Sequence, residues 1–208
     1  MHFIEGEIYH IYNRGNQKQT IFYSRDNYIF FLEKVKKFIS SRCNILSWSL
    51  MPNHFHFLIK ATGISVMPIP KAIIPTQDLT EGIRLLLSSY TKGLNKQLNL
   101  TGNLFQQKTR AKCTSLVAAS KVSDTFKVSD TLDYSTIAFH YIHQNAWKAG
   151  LVTKIEDWEF SSFRDYCGLR NGNLCNKEIA FQELNINKET IYNDSYNSIN
   201  HTELKMIF

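Results

Sequence analysis

Two segments with alternating apolar side chains, joined by a short connection, constrain the fold of this chain most. Residues 44–51 read NILSWSLM, and their alternation places Leu46, Trp48 and Leu50 on one side and Ile45, Ser47 and Ser49 on the other. Residues 54–60, HFHFLIK, alternate in the same way. A period of two is typical of β-strands, and a connection of only three residues, Met-Pro-Asn, leaves room for little more than a turn. The sequence therefore predicts a β-hairpin over residues 44–60.

The segments around this hairpin complete a recognisable order of elements. We predict a strand in GEIYHIYNRG (6–15), a helix over 24–42 with Ser24 as N-cap, a second helix over 76–99 and a strand within 102–116. The order β-α-β-β-α-β is that of ferredoxin-like α+β folds, in which an antiparallel sheet carries helices on one face. We expect the other face to be free for a functional site.

The remainder of the chain is harder to assign. Residues 132–152 predict a further helix closed by Gly150, and DWEFSSFRDYCG (157–168) predicts a packed aromatic extension. KVSDT occurs twice between residues 121 and 131, which we interpret as a polar insertion near 114–132. Residues beyond Leu169 are Asn-rich and lack periodicity. We predict one domain over residues 1–170 and a loosely attached tail over 171–208.

Composition narrows the class of protein. Apolar residues make up 43% of the chain, enough for a real core. The four cysteines are widely spaced without a CxxC, which suits a reducing compartment better than a disulfide or zinc framework. The first residues do not resemble a signal peptide, and no run approaches the ~20 apolar residues that span a bilayer. We expect a cytoplasmic protein with no membrane partner.

Two histidines stand out in the second strand of the hairpin. Residues two apart on a strand share a face, so His54 and His56 project together, while Phe55 and Phe57 point to the opposite, core side. Two adjacent imidazoles can bind a divalent metal, although such pairs also occur without a role. On the helix in 132–152, Tyr141 and Asn145 are four residues apart and share a face, where an ordinary packed tyrosine is the simpler interpretation.

In combination, these motifs resemble a known family. MPNHFHFLI resembles the His-hydrophobic-His signature of the HUH single-strand endonuclease superfamily, and YIHQNAWKAGLV resembles the tyrosine helix of REP-associated tyrosine transposases and their insertion-sequence relatives. YHIYNRGNQKQTIF and DWEFSSFRDY are similar to further blocks of that group. The resemblance covers roughly residues 5–170, with Ala146 where relatives often carry Pro.

The resemblance implies a metal-dependent endonuclease and transposase of single-stranded DNA that acts beside hairpins. It implies His54, His56 and Asn145 as ligands of Mg²⁺ or Mn²⁺, and Tyr141 as the nucleophile. A tyrosine can store the energy of the cut phosphodiester as a 5′-phosphotyrosine link. Relatives act either as monomers or as homodimers with shared sites, and both states stay open here.

Binding of a DNA strand requires cations, and the chain has a formal net charge of +6. The candidate DNA-binding residues are Arg14, Lys108, Arg110, Lys112 and Lys148. Two alternative functions remain. A catalytically silent, domesticated binder of DNA hairpins would keep affinity without forming an adduct. A metal hydrolase would use His54 and His56 with water as the nucleophile, and would leave Tyr141 without a role.

Overall fold

A computed structural model describes residues 1–70, 73–114, 134–197 and 199 of the chain. Four strands form one antiparallel sheet: β1 (Ile8–Arg14), β2 (Cys43–Met51), β3 (His54–Ala61) and β4 (Arg110–Cys113). Their spatial order is β2-β3-β1-β4. With helices between β1 and β2 and between β3 and β4, this is the ferredoxin-like arrangement, and the predicted α+β class is confirmed.

The β2–β3 hairpin is the predicted one, and only Pro52 and Asn53 separate its strands. A bulge interrupts β2, because Ile45 pairs with Ile59 whereas Ser47 pairs with Leu58. Paired residues share a face, so Ile45 lies on the side of Trp48 rather than on the side of Ser47. Strict alternation had assigned Ile45 to the wrong face, since one extra residue in a strand reverses the pattern beyond it.

Two long helices cover one face of the sheet. They are α1 (Arg25–Phe38) and α3 (Asp78–Leu98), with the short α2 (Gly63–Val66) after β3. Ser24 and Asn27 form a capping box that fixes the start of α1, as the N-cap prediction requires. Phe31 of α1 lies between the sheet and α3, with its ring 5.3 Å from that of Phe55 and 5.0 Å from that of Tyr90. These aromatic contacts form the centre of the core.

The opposite face of the sheet is not free, contrary to expectation. Helix α4 (Tyr134–Lys148) packs across β2, β3 and β1. Its buried apolar side chains include Ala138, Phe139 and Ile142, none more than 1% exposed. A helix with this much apolar surface must bury it, and the second sheet face is the surface available. The space for a site is therefore between α4 and the sheet, rather than on an open sheet surface.

The chain beyond α4 wraps back over the hairpin. It turns at Gly150 (φ +70°) and continues through a 3₁₀ turn at Ile155–Asp157 and the helices α5 (Phe163–Tyr166), α6 (Lys177–Glu183) and α7 (Ile191–Asp194). Phe160 stacks on Tyr28 of α1 at 3.8 Å between ring centroids, which confirms the packed aromatic extension.

The expectation of a loosely attached tail is wrong for residues 174–196. This stretch buries four apolar side chains in the core, Cys175, Ala180, Leu184 and Ile191. Buried Gln144 of α4 also donates hydrogen bonds to the carbonyl oxygens of Ser195 and Asn197, at 2.8 Å each. The apolar residues are too few and too unevenly spaced to give a periodic signal. The repeated KVSDT and most of the predicted insertion lie outside the described residues.

Among the helices that the structure describes, none combines the length and the apolar character needed to cross a bilayer.

Candidate active site

The two histidines of β3 project together from the sheet toward α4, as strand alternation predicts. Their ring centroids are 5.0 Å apart and the ring planes are perpendicular. His56 is buried at 3% exposure, whereas His54 is half-buried near the hairpin turn. Asn53, in that turn, places its Oδ1 2.6 Å from Nδ1 of His54. Because a carbonyl oxygen accepts, His54 carries its proton on Nδ1 and has its lone pair on Nε2.

Helix α4 brings Tyr141 to these histidines. The Tyr141 ring is perpendicular to the ring of His56, with 5.7 Å between centroids. One turn later, Asn145 donates from Nδ2 to the Tyr141 carbonyl oxygen at 3.2 Å, and its side chain is 9% exposed. The structure therefore brings Tyr141, His54 and His56 together within one chain, with Asn145 beside Tyr141 on the helix.

Two further residues of this site were missed from the sequence. His10 of β1 is fully buried, and a 2.8 Å hydrogen bond joins its Nε2 to Nδ1 of His56. Tyr12, opposite His56 in the sheet, has its ring 5.7 Å from that of His56. Alternation in YHIYNR would place both on one face of β1. Their meeting with His56 depends on the β1–β3 register, which alternation alone does not fix.

Burial sets the protonation of these groups. It lowers the pKa of His54 to about 4, with a smaller contribution from the positive charge of Arg14. Burial, reinforced by His10 and His54, holds the pKa of His56 well below its ordinary value. Both imidazoles are therefore neutral near pH 7. Burial also raises the pKa of Tyr141 to about 12, an effect that a hydrogen bond from Asn145 partly offsets.

The histidine pair fits a divalent cation. Nε2 of His56 is buried and has no hydrogen-bond partner among the described residues. A buried lone pair without a donor is costly, and coordination of a metal would satisfy it. Within the described ranges, no group of three or more His, Cys, Asp or Glu side chains is arranged to hold a metal. A cation here would rely on two imidazoles, with Asn145 as the neutral third candidate.

The predicted DNA-binding residues divide into two groups. Arg14 pairs with His54 in the sheet, and Arg110 and Lys112 of β4 pair with Tyr12 and His10, so these three cations lie on the sheet face of the histidines. Burial lowers the pKa of Lys112. The other two lie elsewhere. Lys108 precedes β4, and Lys148 is exposed at the end of α4, three residues beyond Asn145.

A groove of about 1080 Å³ runs between α3 and the segment 102–111. The basic residues along it are Arg84, Lys92 and Lys108, with Arg110 of the edge strand β4 at its end, and Arg84 is ion-paired with Glu81 at 2.6 Å. Amide and hydroxyl side chains make up most of the remaining polar lining. They are Thr76, Thr80, Ser88, Thr91, Asn95, Asn103, Gln106, Gln107 and Thr109. A wide groove with this lining offers hydrogen bonds and positive charge to an extended polyanion; we call it the α3 groove.

Comparison with known proteins adds one relationship. No protein-family model and no curated protein matches the chain. Among solved structures, the chain is similar to that of a REP-associated tyrosine transposase bound to a REP hairpin. The superposition has a TM-score of 0.55 and covers 84% of this chain and 87% of that chain, at 16% sequence identity. At this identity the likeness establishes a common fold and no more.

Proposed function

We propose that this protein is a metal-dependent endonuclease and transposase that cleaves and rejoins single-stranded DNA beside hairpins. The observation that carries the proposal is the meeting of Tyr141 with His56 and His54 in one chain, from elements that are far apart in sequence. Two neutral imidazoles beside a phenol suit transfer of a phosphodiester to tyrosine. The hairpin in the structure of similar fold supports the choice of substrate.

The proposed step balances without a co-reactant. Oη of Tyr141 attacks the scissile phosphorus, the bond from phosphorus to the 3′ oxygen breaks, and the phenolic proton is lost while the 3′ oxygen gains one. The products are a 5′-phosphotyrosine and a free 3′-hydroxyl, which reverses the link in the joining step. Because the half-buried phenol has a raised pKa of about 12, it is protonated at neutral pH and requires assistance.

His54 and His56 would hold Mg²⁺ or Mn²⁺ through their Nε2 atoms, with Asn145 as the further ligand. The metal would polarise the phosphate and offset its developing charge. Imidazole ligands favour Mn²⁺ over Mg²⁺. Arg14, Arg110 and Lys112, on the histidine face, would neutralise neighbouring phosphates of the strand, and the half-buried Lys112 would gain most from an anionic partner.

The two alternatives make different predictions about Tyr141. A silent hairpin binder would keep its affinity for DNA but form no covalent product. A hydrolase would use water and would cut without Tyr141. Both leave unexplained why the half-buried phenol of Tyr141 lies against His56 of the histidine pair.

A covalent adduct is the decisive product. Single-stranded DNA with a hairpin, labelled on the 3′ side of the cut, is incubated with the protein and Mn²⁺, and the products are separated by denaturing electrophoresis. We expect a protein–DNA conjugate with the wild type and none with Tyr141→Phe, while hairpin affinity is retained. Cutting by Tyr141→Phe at the wild-type rate would favour the hydrolase, and wild-type binding without a conjugate would favour the silent binder.

Tyr12→Phe is the matched control. Its ring has the same centroid distance to His56, 5.7 Å, so it is the rival nucleophile. We expect this variant to form the conjugate. If Tyr12→Phe abolished the conjugate and Tyr141→Phe did not, β1 rather than α4 would supply the nucleophile.

A further inference from the structure

We propose that His10 is a positioning residue that holds His56 in the tautomer able to bind a metal. The inference rests on one part of the proposed function, which is that His56 is a ligand of the divalent metal. It is carried by the 2.8 Å hydrogen bond between Nε2 of His10 and Nδ1 of His56.

The positions of the protons follow from the chemistry of coordination. For Nε2 of His56 to bind a cation, its lone pair must be free, so the proton of the neutral ring resides on Nδ1. That N–H then donates to Nε2 of His10, which must present a lone pair and carry its own proton on Nδ1. The opposite direction of donation would place the His56 proton on Nε2 and block the ligand atom.

The surroundings hold this pair in place. His10 is fully buried, and its ring stacks on that of His56 with 5.0 Å between centroids and 21° between planes. Tyr12 lies against both rings, at 4.9 Å from His10 and 5.7 Å from His56. Both histidines are on central strands of the sheet, so neither backbone is free to shift. A metal-binding histidine commonly donates its second N–H to an oriented acceptor, and loss of that acceptor typically costs 10–100-fold in affinity.

The test is Mn²⁺ affinity, measured by isothermal titration calorimetry on the full chain without DNA. In His10→Phe the ring is kept but the acceptor is lost, and we expect Mn²⁺ binding to weaken about 10–100-fold. In His10→Gln the amide oxygen can occupy the place of Nε2 and accept, so we expect affinity within a few-fold of the wild type. Equal affinity of His10→Phe and wild type, or equal loss in both variants, would overturn the proposal, as would a wild type that binds no Mn²⁺.

His143→Phe is the matched control, because it also removes a buried imidazole. His143 is bonded to the Ser162 hydroxyl rather than to the histidine pair. It should leave Mn²⁺ affinity unchanged, and thermal melting of every variant separates loss of fold from loss of affinity. Since no DNA is cut in this assay, a wild type that binds Mn²⁺ but forms no conjugate would refute the nuclease and leave the role of His10 intact.

A measurement on the wild type keeps the inference testable even if His10→Phe does not fold. In protein labelled with ¹⁵N-histidine, long-range ¹H–¹⁵N correlations distinguish the two neutral tautomers. We expect His56 to be protonated on Nδ1 before metal is added. A proton on Nε2 of His56 would show that His10 is the donor and would refute the assignment.

Discussion

The Tyr141 phenol and the His56 imidazole belong to one chain and meet edge to face, 5.7 Å apart between ring centroids. Helix α4 is packed across three strands through buried apolar side chains, so this proximity is a property of the core and not of a mobile arm. The geometry therefore favours a site completed in cis, whether or not the protein forms a homodimer.

Mixing two variants that we expect to be inactive tests whether the proposed site is completed in cis. Tyr141→Phe lacks the proposed nucleophile and His56→Ala lacks a proposed metal ligand, so neither chain contains both groups. We expect their mixture to form no more conjugate than either variant alone, measured by denaturing electrophoresis after joint refolding. Each variant mixed with wild type is the control for subunit exchange. Recovery of conjugate in the mixture would show that a partner chain contributes the tyrosine.

The α3 groove predicts a change in the salt dependence of DNA binding. Lys92 and Lys108 both line it, and each phosphate contact contributes about 0.7–0.9 to the slope of log affinity against log salt. In the double variant Lys92→Gln/Lys108→Gln, we expect weaker hairpin binding and a slope shallower by roughly 1.5, measured by fluorescence anisotropy at several salt concentrations.

Lys36→Gln/Lys37→Gln provides the charge-matched control for the groove. These two lysines are exposed on α1 and do not line the groove. We expect their replacement to leave the slope close to that of the wild type. Equal effects of the two double variants would mean that net charge, rather than the groove, determines binding.

The burial of His140 leads us to expect that the stability of the protein depends on pH. It lies on α4, its Nδ1 is 2.9 Å from the Ser195 hydroxyl, and burial lowers its pKa, with the charge of Asp194 partly offsetting this effect. A lowered pKa in the folded state means that the unfolded chain binds the proton more tightly. The free energy of unfolding should therefore fall as pH drops below about 6.5, by up to about 1.4 kcal/mol per pH unit for this group.

Urea denaturation at pH 7.5 and 5.5 measures this contribution. In His140→Asn, whose amide nitrogen can occupy the place of Nδ1, we expect a smaller loss of stability between the two pH values than in the wild type. His2→Gln, at an exposed position, controls for the removal of one histidine. An unchanged pH dependence in His140→Asn would contradict the effect of burial on His140.

Local sequence patterns predict which side chains of the candidate site share a face of a strand or helix. They do not predict which strands pair and so which of these side chains meet. Alternation alone placed His54 and His56 on one face, and helical spacing placed Tyr141 beside Asn145. The role of His10 cannot be predicted from the sequence in this way, because a single histidine in an aromatic strand does not indicate a site. Its contact with His56 follows only from the register between β1 and β3. Register depends on contacts between residues 46 positions apart, which no local pattern encodes.

Two expectations from the sequence, a free second sheet face and a loose segment after Leu169, are wrong because they also considered local patterns alone. The second sheet face was expected to be free, because the order of elements assigns both crossover helices to one side. That expectation did not consider where α4 buries Ala138, Phe139 and Ile142. The segment after Leu169 was expected to be loose because its apolar residues are sparse. Cys175 and Ile191 are nonetheless buried, since a short segment can be held by a few side chains and by hydrogen bonds to α4.

The contact between α3 and α1 gives the last prediction. Gly93 lies within α3, where alanine ordinarily stabilises a helix by about 1 kcal/mol relative to glycine. A Cβ at this position would meet Cε1 of Phe30 at 2.7 Å and Cζ at 2.9 Å, and overpacking of this kind costs about 1–3 kcal/mol.

We therefore expect Gly93→Ala to destabilise the protein by up to about 2 kcal/mol. In a Phe30→Ala background, where the ring is gone, we expect the same substitution to stabilise the protein by about 1 kcal/mol. Urea denaturation of the four proteins measures both effects, and an equal effect of Gly93→Ala in the two backgrounds would show that the Phe30 ring does not set the cost.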